Sequence, residues 1–167
     1  MAPNPLQIIQ ANYSDTLHAN AIVQLLDAYA QDPAGGSHPL SDFAKTHLVQ
    51  ELARRPQAFS VLAFDMTAHD RTPVGLVNCI EGFSTFACKP LVNVHDVVVL
   101  ASHRGQRVGK QMLALAEQIS LQRGACKLTL EVLSDNQSAV RLYQRIGFVG
   151  YQLDPAMGSA LFLQKWL

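Results

Sequence analysis

Along this chain the spacing of apolar residues changes period several times, and each change marks an element. Leu6-Gln7-Ile8-Ile9 suits a short first strand. Ile22, Leu25, Leu26 and Tyr29 recur at helical spacing, with the N-cap chemistry of Ser14 and Asp15 ahead of them. Ala44, Leu48 and Leu52 predict a second helix, opened by Ser41 and stopped before Pro56. Between the two, Pro33-Ala34-Gly35-Gly36-Ser37 can only be a loop. The period then shortens. Ala58 to Asp65 and Val74 to Phe83 read as strands joined by a hairpin around His69-Asp70-Arg71-Thr72.

Leu91 to Leu100 begins with alternation and ends in the unbroken run Val97-Val98-Val99-Leu100, as expected of a strand entering the middle of a sheet. Val108, Met112, Leu115, Ala116 and Ile119 return to helical spacing, and Arg123-Gly124 closes that helix with a basic last turn and a C-cap glycine. Lys127 to Leu133 alternates as a further strand. Asp135 or Asn136 caps a short helix that ends at Ile146-Gly147. Phe148 to Leu153 and Ala160 to Trp166 predict two final strands. This order gives a mixed sheet with helices on both faces, of α/β or α+β type, as one domain over residues 1–167.

Composition narrows the class. At 167 residues, 49% of them hydrophobic, the chain can bury one good core and is short for two. Basic and acidic residues balance at 13 each, so no general basic excess points to nucleic acid. Apolar runs fall short of the roughly 20 residues that span a bilayer. The start, Met1-Ala2-Pro3-Asn4-Pro5-Leu6, has neither the basic nor the apolar region of a signal peptide. Cys79, Cys88 and Cys126 lack metal-like spacing, and their odd number suits a reducing compartment. The expectation is a cytoplasmic protein with no metal, membrane or nucleic-acid partner.

The segment Arg104-Gly105-Gln106-Arg107-Val108-Gly109-Lys110 carries the chemistry. A strand, a glycine-containing turn and a helix start make an anion site, because first-turn N–H groups are unpaired within the helix and the macrodipole is positive there. An ordinary strand–helix turn with solvated basic residues is the plain alternative. A nucleotide triphosphatase loop fits poorly: three residues rather than four separate Gly105 and Gly109, and Gln111 stands where a metal-binding hydroxyl is needed. The glycine spacing of a dinucleotide fingerprint is also missing.

Arg104-Gly105-Gln106-Arg107-Val108-Gly109 resembles the coenzyme A signature of the GNAT N-acetyltransferase superfamily, Gln/Arg-x-x-Gly-x-Gly/Ala, with Arg107 in place of the middle glycine. Further on, Asn136-Gln137-Ser138-Ala139-Val140-Arg141-Leu142-Tyr143-Gln144-Arg145-Ile146-Gly147-Phe148 resembles the superfamily's Asn-x-x-Ala-x-x-Phe/Tyr-Tyr-x-x-x-Gly-Phe segment. The region from Val74 to Trp166 carries the likeness, and the first 60 residues match in element order only. His95-Asp96-Val97-Val98-Val99 is similar to the diamine acetyltransferase group, with His95 replacing the first of an acidic pair.

The resemblance implies a mostly antiparallel sheet of about seven strands, the fourth and fifth splayed apart. It implies that residues 104 to 110 hold the pyrophosphate of acetyl-CoA. The backbone of Val97, Val98 and Val99 would line pantetheine, with Asn136 and Ser138 beside it. Tyr143 falls where the superfamily has its general acid and cofactor contact; a tyrosine near pKa ~10 can protonate a thiolate near ~8.5. A core tyrosine and a plain N-cap are the competing readings of Tyr143 and Asn136. Asp96, His95 and Glu81 are the candidate bases, and strict alternation would put His95 and Asp96 on opposite faces.

The activity implied is acetyl transfer to a primary amine of a small molecule by direct attack in a ternary complex. A non-catalytic acyl-CoA-binding module and acetylation of a protein amine stay open. Phe83, Phe86, the Ser84 to Pro90 loop and the first two helices are expected around the acceptor. The group also implies a homodimer, for which Ala160-Leu161-Phe162-Leu163 and Trp166 offer an apolar surface.

Overall fold

In the computed structural model, residues 6–67, 71–151, 156 and 161–166 are described. They form two compact units, Met1–Leu133 and Ser134–Leu167. The first holds a five-stranded sheet in the order β1-β2-β3-β4-β5, built from β1 (Leu6–Gln10), β2 (Ala58–Asp65), β3 (Thr72–Ser84), β4 (Lys89–Val99) and β5 (Leu128–Thr129). Neighbours from β1 to β4 are antiparallel, and β4 pairs with β5 in parallel, so the sheet is mixed. Three helices accompany it: α1 (Thr16–Gln31), α2 (Asp42–Ala53) and α3 (Val108–Gln122). The second unit contains α4 (Gln137–Arg145).

The faces follow from β3. A Cβ built at Gly75 would lie 2.8 Å from Met112 Cε, so this position faces α3 and the missing side chain lets that helix approach. The next residue, Leu76, packs with Ala21, Ile22 and Leu25 of α1 and with Leu62, Phe64 and Val98. Successive side chains in a strand point to opposite faces, so α1 and α3 cover opposite sides of the sheet. Leu48 and Leu52 of α2 pack at the margin of the α1-side core, where no α2 residue is fully buried.

The chain stops its helices as its residues dictate. Asp15 accepts the His18 N–H at 3.1 Å and Ser41 accepts the Ala44 N–H at 3.1 Å, capping α1 and α2. Gly124, at φ +77°, ends α3, and Ala125 N–H bonds back to Ser120 O at 3.0 Å.

The strand count differs from expectation: five among the described residues against about seven. Lys127 to Leu133 alternates, yet only Val92↔Leu128 and Asn93↔Thr129 pair, after which residues 130–133 leave β4. Residues 148–151 and 161–166 carry strand-like composition, but no ladder includes them. A strand requires a neighbour to satisfy its backbone, and alternation alone does not supply one. The rest of the two expected final strands, and the 68–70 part of the β2–β3 connection, lie outside the described residues. No described helix is long and apolar enough to cross a membrane.

Candidate active site

The site begins with a defect in β4. Cys79 pairs with Val94 and Asn78 with Asp96, so His95 has no partner and forms a β-bulge. Strict alternation therefore does not hold at this point, and the expectation built on it for His95 and Asp96 lapses. Before the bulge, Val92 N–H donates toward β5, to Lys127 O at 3.0 Å. After it, Leu100 N–H donates to Val74 O at 3.0 Å, so by two-residue alternation Val98 faces β3 while Val97 and Val99 face the other edge. There β5 has already ended. Val99 O instead accepts from Arg104 Nε at 3.1 Å. The backbone beyond the bulge is thus not paired with β5.

That edge leads into the basic turn. Gly105 has φ +80°, and Arg107, the N-cap of α3, has φ 64° and ψ 14°. Arg107, which stands where the resembled signature has its middle glycine, is thus left-handed, a conformation that favours glycine. Non-glycine residues enter it at a cost of about 1–2 kcal/mol. Left-handed Arg107 followed by helical Val108 turns successive N–H groups to one side, a concavity that receives anions. The first intrahelical bond runs from Gln111 N–H to Arg107 O at 3.1 Å, leaving Val108, Gly109 and Lys110 N–H ahead of it. No side chain caps this helix, in contrast to α1, α2 and α4.

The three basic side chains are not equivalent. Arg104 is held by Asp32 Oδ2 at 3.0 Å and Val99 O, tying the turn to the end of α1. Among the described residues no ion pair engages Arg107 or Lys110, both exposed. Gln106 Nε2 donates to Ser102 O at 3.0 Å. The root of the turn is pinned by His103 Nε2 and Asp65 Oδ2, 3.1 Å apart; His103 and the Thr67 N–H hold the Asp65 carboxyl below its ordinary range.

The candidate bases separate. Asp96 Oδ2 accepts from Asn78 Nδ2 at 2.9 Å, on the α1 side of the sheet. His95 is exposed. Glu81 lies 3.4 Å from Arg123, which also stacks over Phe59 and donates to Pro56 O, so its carboxylate is engaged beneath the end of α3. Cys79 is buried and its thiol is pushed up to about 12 by desolvation, which removes it as a nucleophile at neutral pH. Among the described residues no group of three His, Cys, Asp or Glu could hold a metal ion.

In the second unit, Asn136 Oδ1 accepts from Ala139 N–H at 3.3 Å and Ser138 Oγ at 3.0 Å, capping α4. Tyr143, on α4, is buried and meets Phe148 edge-on, ring centroids 5.9 Å apart. Phe83 and Phe86, expected around the acceptor, are exposed. A concavity of about 310 Å³ lies elsewhere in the first unit, between the Tyr13 turn, the end of α2 and the start of β2.

Tyr13, Ser60 and Asn78, which were not among the expected site residues, lie on the hydrogen-bonded chain that reaches Asp96. Ser60 and Asn78 are buried polar residues in the middle of the sheet, joined to each other and to Asp96. The available signal was a polar residue inside each apolar run, Ala58-Phe59-Ser60-Val61-Leu62 and Leu76-Val77-Asn78-Cys79-Ile80.

A bulged strand with an open edge, running into an uncapped helix start, frames the candidate site of this α/β fold. The chain belongs to the acetyltransferase (GNAT) family, whose profile matches residues 21–148. Streptothricin acetyltransferase of Streptomyces lavendulae is 32% identical over 87 residues, 50% of this chain and 46% of that protein. Thialysine N-epsilon-acetyltransferase of Mus musculus is 32% identical over 56 residues, 34% and 33% of the respective chains. The chain thus spans less than half the length of these curated relatives. A probable acetyltransferase of known structure shares the fold with a TM-score of 0.78 over 96% of this chain and 98% of its own, at 21% identity. Aminoglycoside N-acetyltransferase AAC(6')-Iy in complex with CoA gives 0.71 over 99% of both chains, at 17% identity.

Proposed function

We propose that this chain is an acetyl-CoA-dependent N-acetyltransferase acting on a primary amine of a small molecule, in a ternary complex without a covalent enzyme intermediate. The observation that carries the reading is the uncapped start of α3, with Arg107 in the glycine conformation of the coenzyme A signature. Its vacant N–H groups and the charges of Arg107 and Lys110 suit a pyrophosphate. The open edge at Val97 and Val99 suits the amides of pantetheine, which pair with backbone as an added strand would. Acetyl-CoA supplies an activated thioester. The Val97 N–H, turned to the edge by the bulge, is the donor assigned to the thioester oxygen.

The acceptor must lose a proton first. An alkylamine near pKa ~10.4 is neutral at pH 7 at a cost of about 4.6 kcal/mol. Asp96 is assigned as the base, directly or through water, because its carboxylate is fixed by Asn78 while Glu81 is committed to Arg123. Tyr143 is assigned as the acid that protonates the departing thiolate, on its place in the second motif. The two units act as one acetyltransferase domain in this reading, supported by a family match that spans both. A small-molecule acceptor is supported by relatives named for streptothricin and aminoglycosides. The protein is assigned to the cytoplasm, and as a homodimer, the latter tested by sedimentation at micromolar concentration.

The decisive experiment measures CoA release from acetyl-CoA over an amine panel of sisomicin, spermidine, lysine and a peptide N-terminus, repeated with longer acyl-CoAs. Release with sisomicin, spermidine or lysine supports the proposal. Release with the peptide alone reassigns the acceptor to a protein amine. Calorimetric CoA binding with no release from any amine makes the chain a binding module instead.

A further inference from the structure

Two transverse rows of side chains cross the α1 side of the sheet. Leu62, Leu76 and Val98 are aligned in register and form the apolar row. One step along the strands, Ser60, Asn78 and Asp96 are aligned in the same way and form a polar row. Ser60 is fully buried and Asn78 is 4% exposed. Burying such groups costs free energy unless each is bonded, and a sheet that needed only packing would repeat the leucine row.

The bonds have a forced direction. An ionised Asp96 can only accept, so Asn78 turns its Nδ2 to the carboxylate, at 2.9 Å. Asn78 Oδ1 then faces Ser60, whose hydroxyl donates to it at 2.7 Å. With that proton committed, Ser60 Oγ can only accept from the Tyr13 hydroxyl, 2.9 Å away. Burial pushes the Tyr13 phenol above its ordinary range, partly offset by the Ser60 bond, so Tyr13 keeps the proton that this direction requires. Every donor in the chain points toward Asp96. A primary amide does not pass a proton along such a chain without changing tautomer, so Asn78 makes this a fixed support and not a conduit.

We infer that Tyr13, Ser60 and Asn78 are positioning residues that hold the Asp96 carboxylate in the orientation its work as a base requires. The inference rests on the reading of Asp96 given above. Without Ser60 the Asn78 Oδ1 loses its donor, so the amide is held at its carboxylate end alone and Asp96 loses a fixed support. The chain would also link the Tyr13 turn, which borders the 310 Å³ concavity, to the base across three strands.

The test is steady-state kinetics of Ser60→Ala, Tyr13→Phe and Asp96→Asn, with acetyl-CoA and the panel amine giving the fastest CoA release. Ser60→Ala should lower kcat about three- to tenfold and Tyr13→Phe about twofold, the range of one or a fraction of a neutral hydrogen bond. The KM for acetyl-CoA should stay unchanged. In an Asp96→Asn background neither change should lower kcat further, because both act through that carboxylate. Wild-type kcat in both single variants, or the same fractional loss persisting in the Asp96→Asn background, overturns the inference.

A second measurement does not depend on turnover. Solvent exchange of the Asn78 side-chain amide, followed by NMR in the intact protein, should accelerate about two- to tenfold in Tyr13→Phe, whose ring is retained, and in Ser60→Ala if it folds. Equal exchange in wild type and Tyr13→Phe shows that the chain is not held, and the inference falls. If Asp96→Asn turns over at the wild-type rate, the base assignment fails by itself, and the amide exchange alone decides whether the chain exists.

Discussion

The starts of α3 and α4 are opposites. At α4 the Asn136 side chain accepts from Ala139 N–H and Ser138 Oγ, so the helix start carries its own cap. At α3 the N-cap is an arginine at φ 64° whose side chain caps nothing. Both segments are polar starts of amphipathic helices, and both carry a family motif. One keeps donors vacant and places positive charge beside them, at the cost of backbone strain. The other spends its polar side chain on its own backbone and buries Tyr143 two turns later. Under the proposed function the α3 start holds the ligand and α4 supplies chemistry, and each half of that proposal can be broken separately.

The largest effect is expected at Tyr143. Tyr143→Phe removes one hydroxyl and keeps the ring against Phe148. If the phenol protonates the thiolate, kcat should fall roughly 10²–10⁴-fold, nearer the lower end because water can substitute in part. CoA affinity by calorimetry should change little. Wild-type turnover in this variant would make Tyr143 a packing residue and α4 a structural helix only.

The reciprocal change is Gly109→Asp. Gly109 is buried in the first turn of α3, where a carboxylate brings both bulk and the wrong sign of charge to the proposed phosphate site. CoA should bind at least about tenfold more weakly, on the scale of a lost charge-assisted bond replaced by repulsion. Circular dichroism distinguishes this from unfolding. An unchanged CoA affinity in the folded variant would remove the pyrophosphate from this helix start.

How much of this contrast was legible beforehand differs between the regions. The bounds of β2 and the caps at Ser41 and Asn136 follow from periodicity and N-cap chemistry, because both are local. Both motifs were legible as a resemblance, since each is a contiguous run of residues. The left-handed Arg107 was not, because arginine has no preference for that conformation and only the fold around the turn enforces it. The bulge at His95 was hidden for a related reason: the unbroken run Val97-Val98-Val99 conceals which face each residue takes. The Tyr13–Ser60–Asn78 support joins three segments far apart in sequence, where register rather than spacing makes the contacts. The short β5 was over-read because alternation marks a face and says nothing about where a partner strand ends.

A smaller effect sharpens the α4 side. Asn136→Ala should cost about 1 kcal/mol in urea unfolding, the usual loss for a removed N-cap. Asn136→Asp retains an acceptor oxygen for Ala139 N–H and should restore most of that stability. If Asn136 also bonds pantetheine through its amide nitrogen, the Asp variant should stay stable yet bind acetyl-CoA less tightly than wild type. Stability and affinity both at wild-type level in the Asp variant would confine Asn136 to capping.

The smallest effect addresses the strain itself. Arg107→Gly relieves a left-handed penalty of about 1–2 kcal/mol, while the glycine loses about 0.5–1 kcal/mol through the greater freedom of its unfolded chain. The net change in unfolding free energy should lie between about 0 and 1.5 kcal/mol in favour of the variant. Arg107→Ala keeps the strained φ and should show no such gain. The pair is informative because both remove the same exposed charge and differ in backbone freedom alone. CoA affinity should therefore drop by a similar factor in both, about two- to fivefold, as expected of one solvent-exposed charge, and its salt dependence should flatten equally. If Arg107→Gly instead bound CoA as tightly as wild type while Arg107→Ala did not, the side-chain charge would contribute nothing. The α3 start would then hold its ligand by backbone donors alone, and the arginine would be a tolerated replacement for glycine.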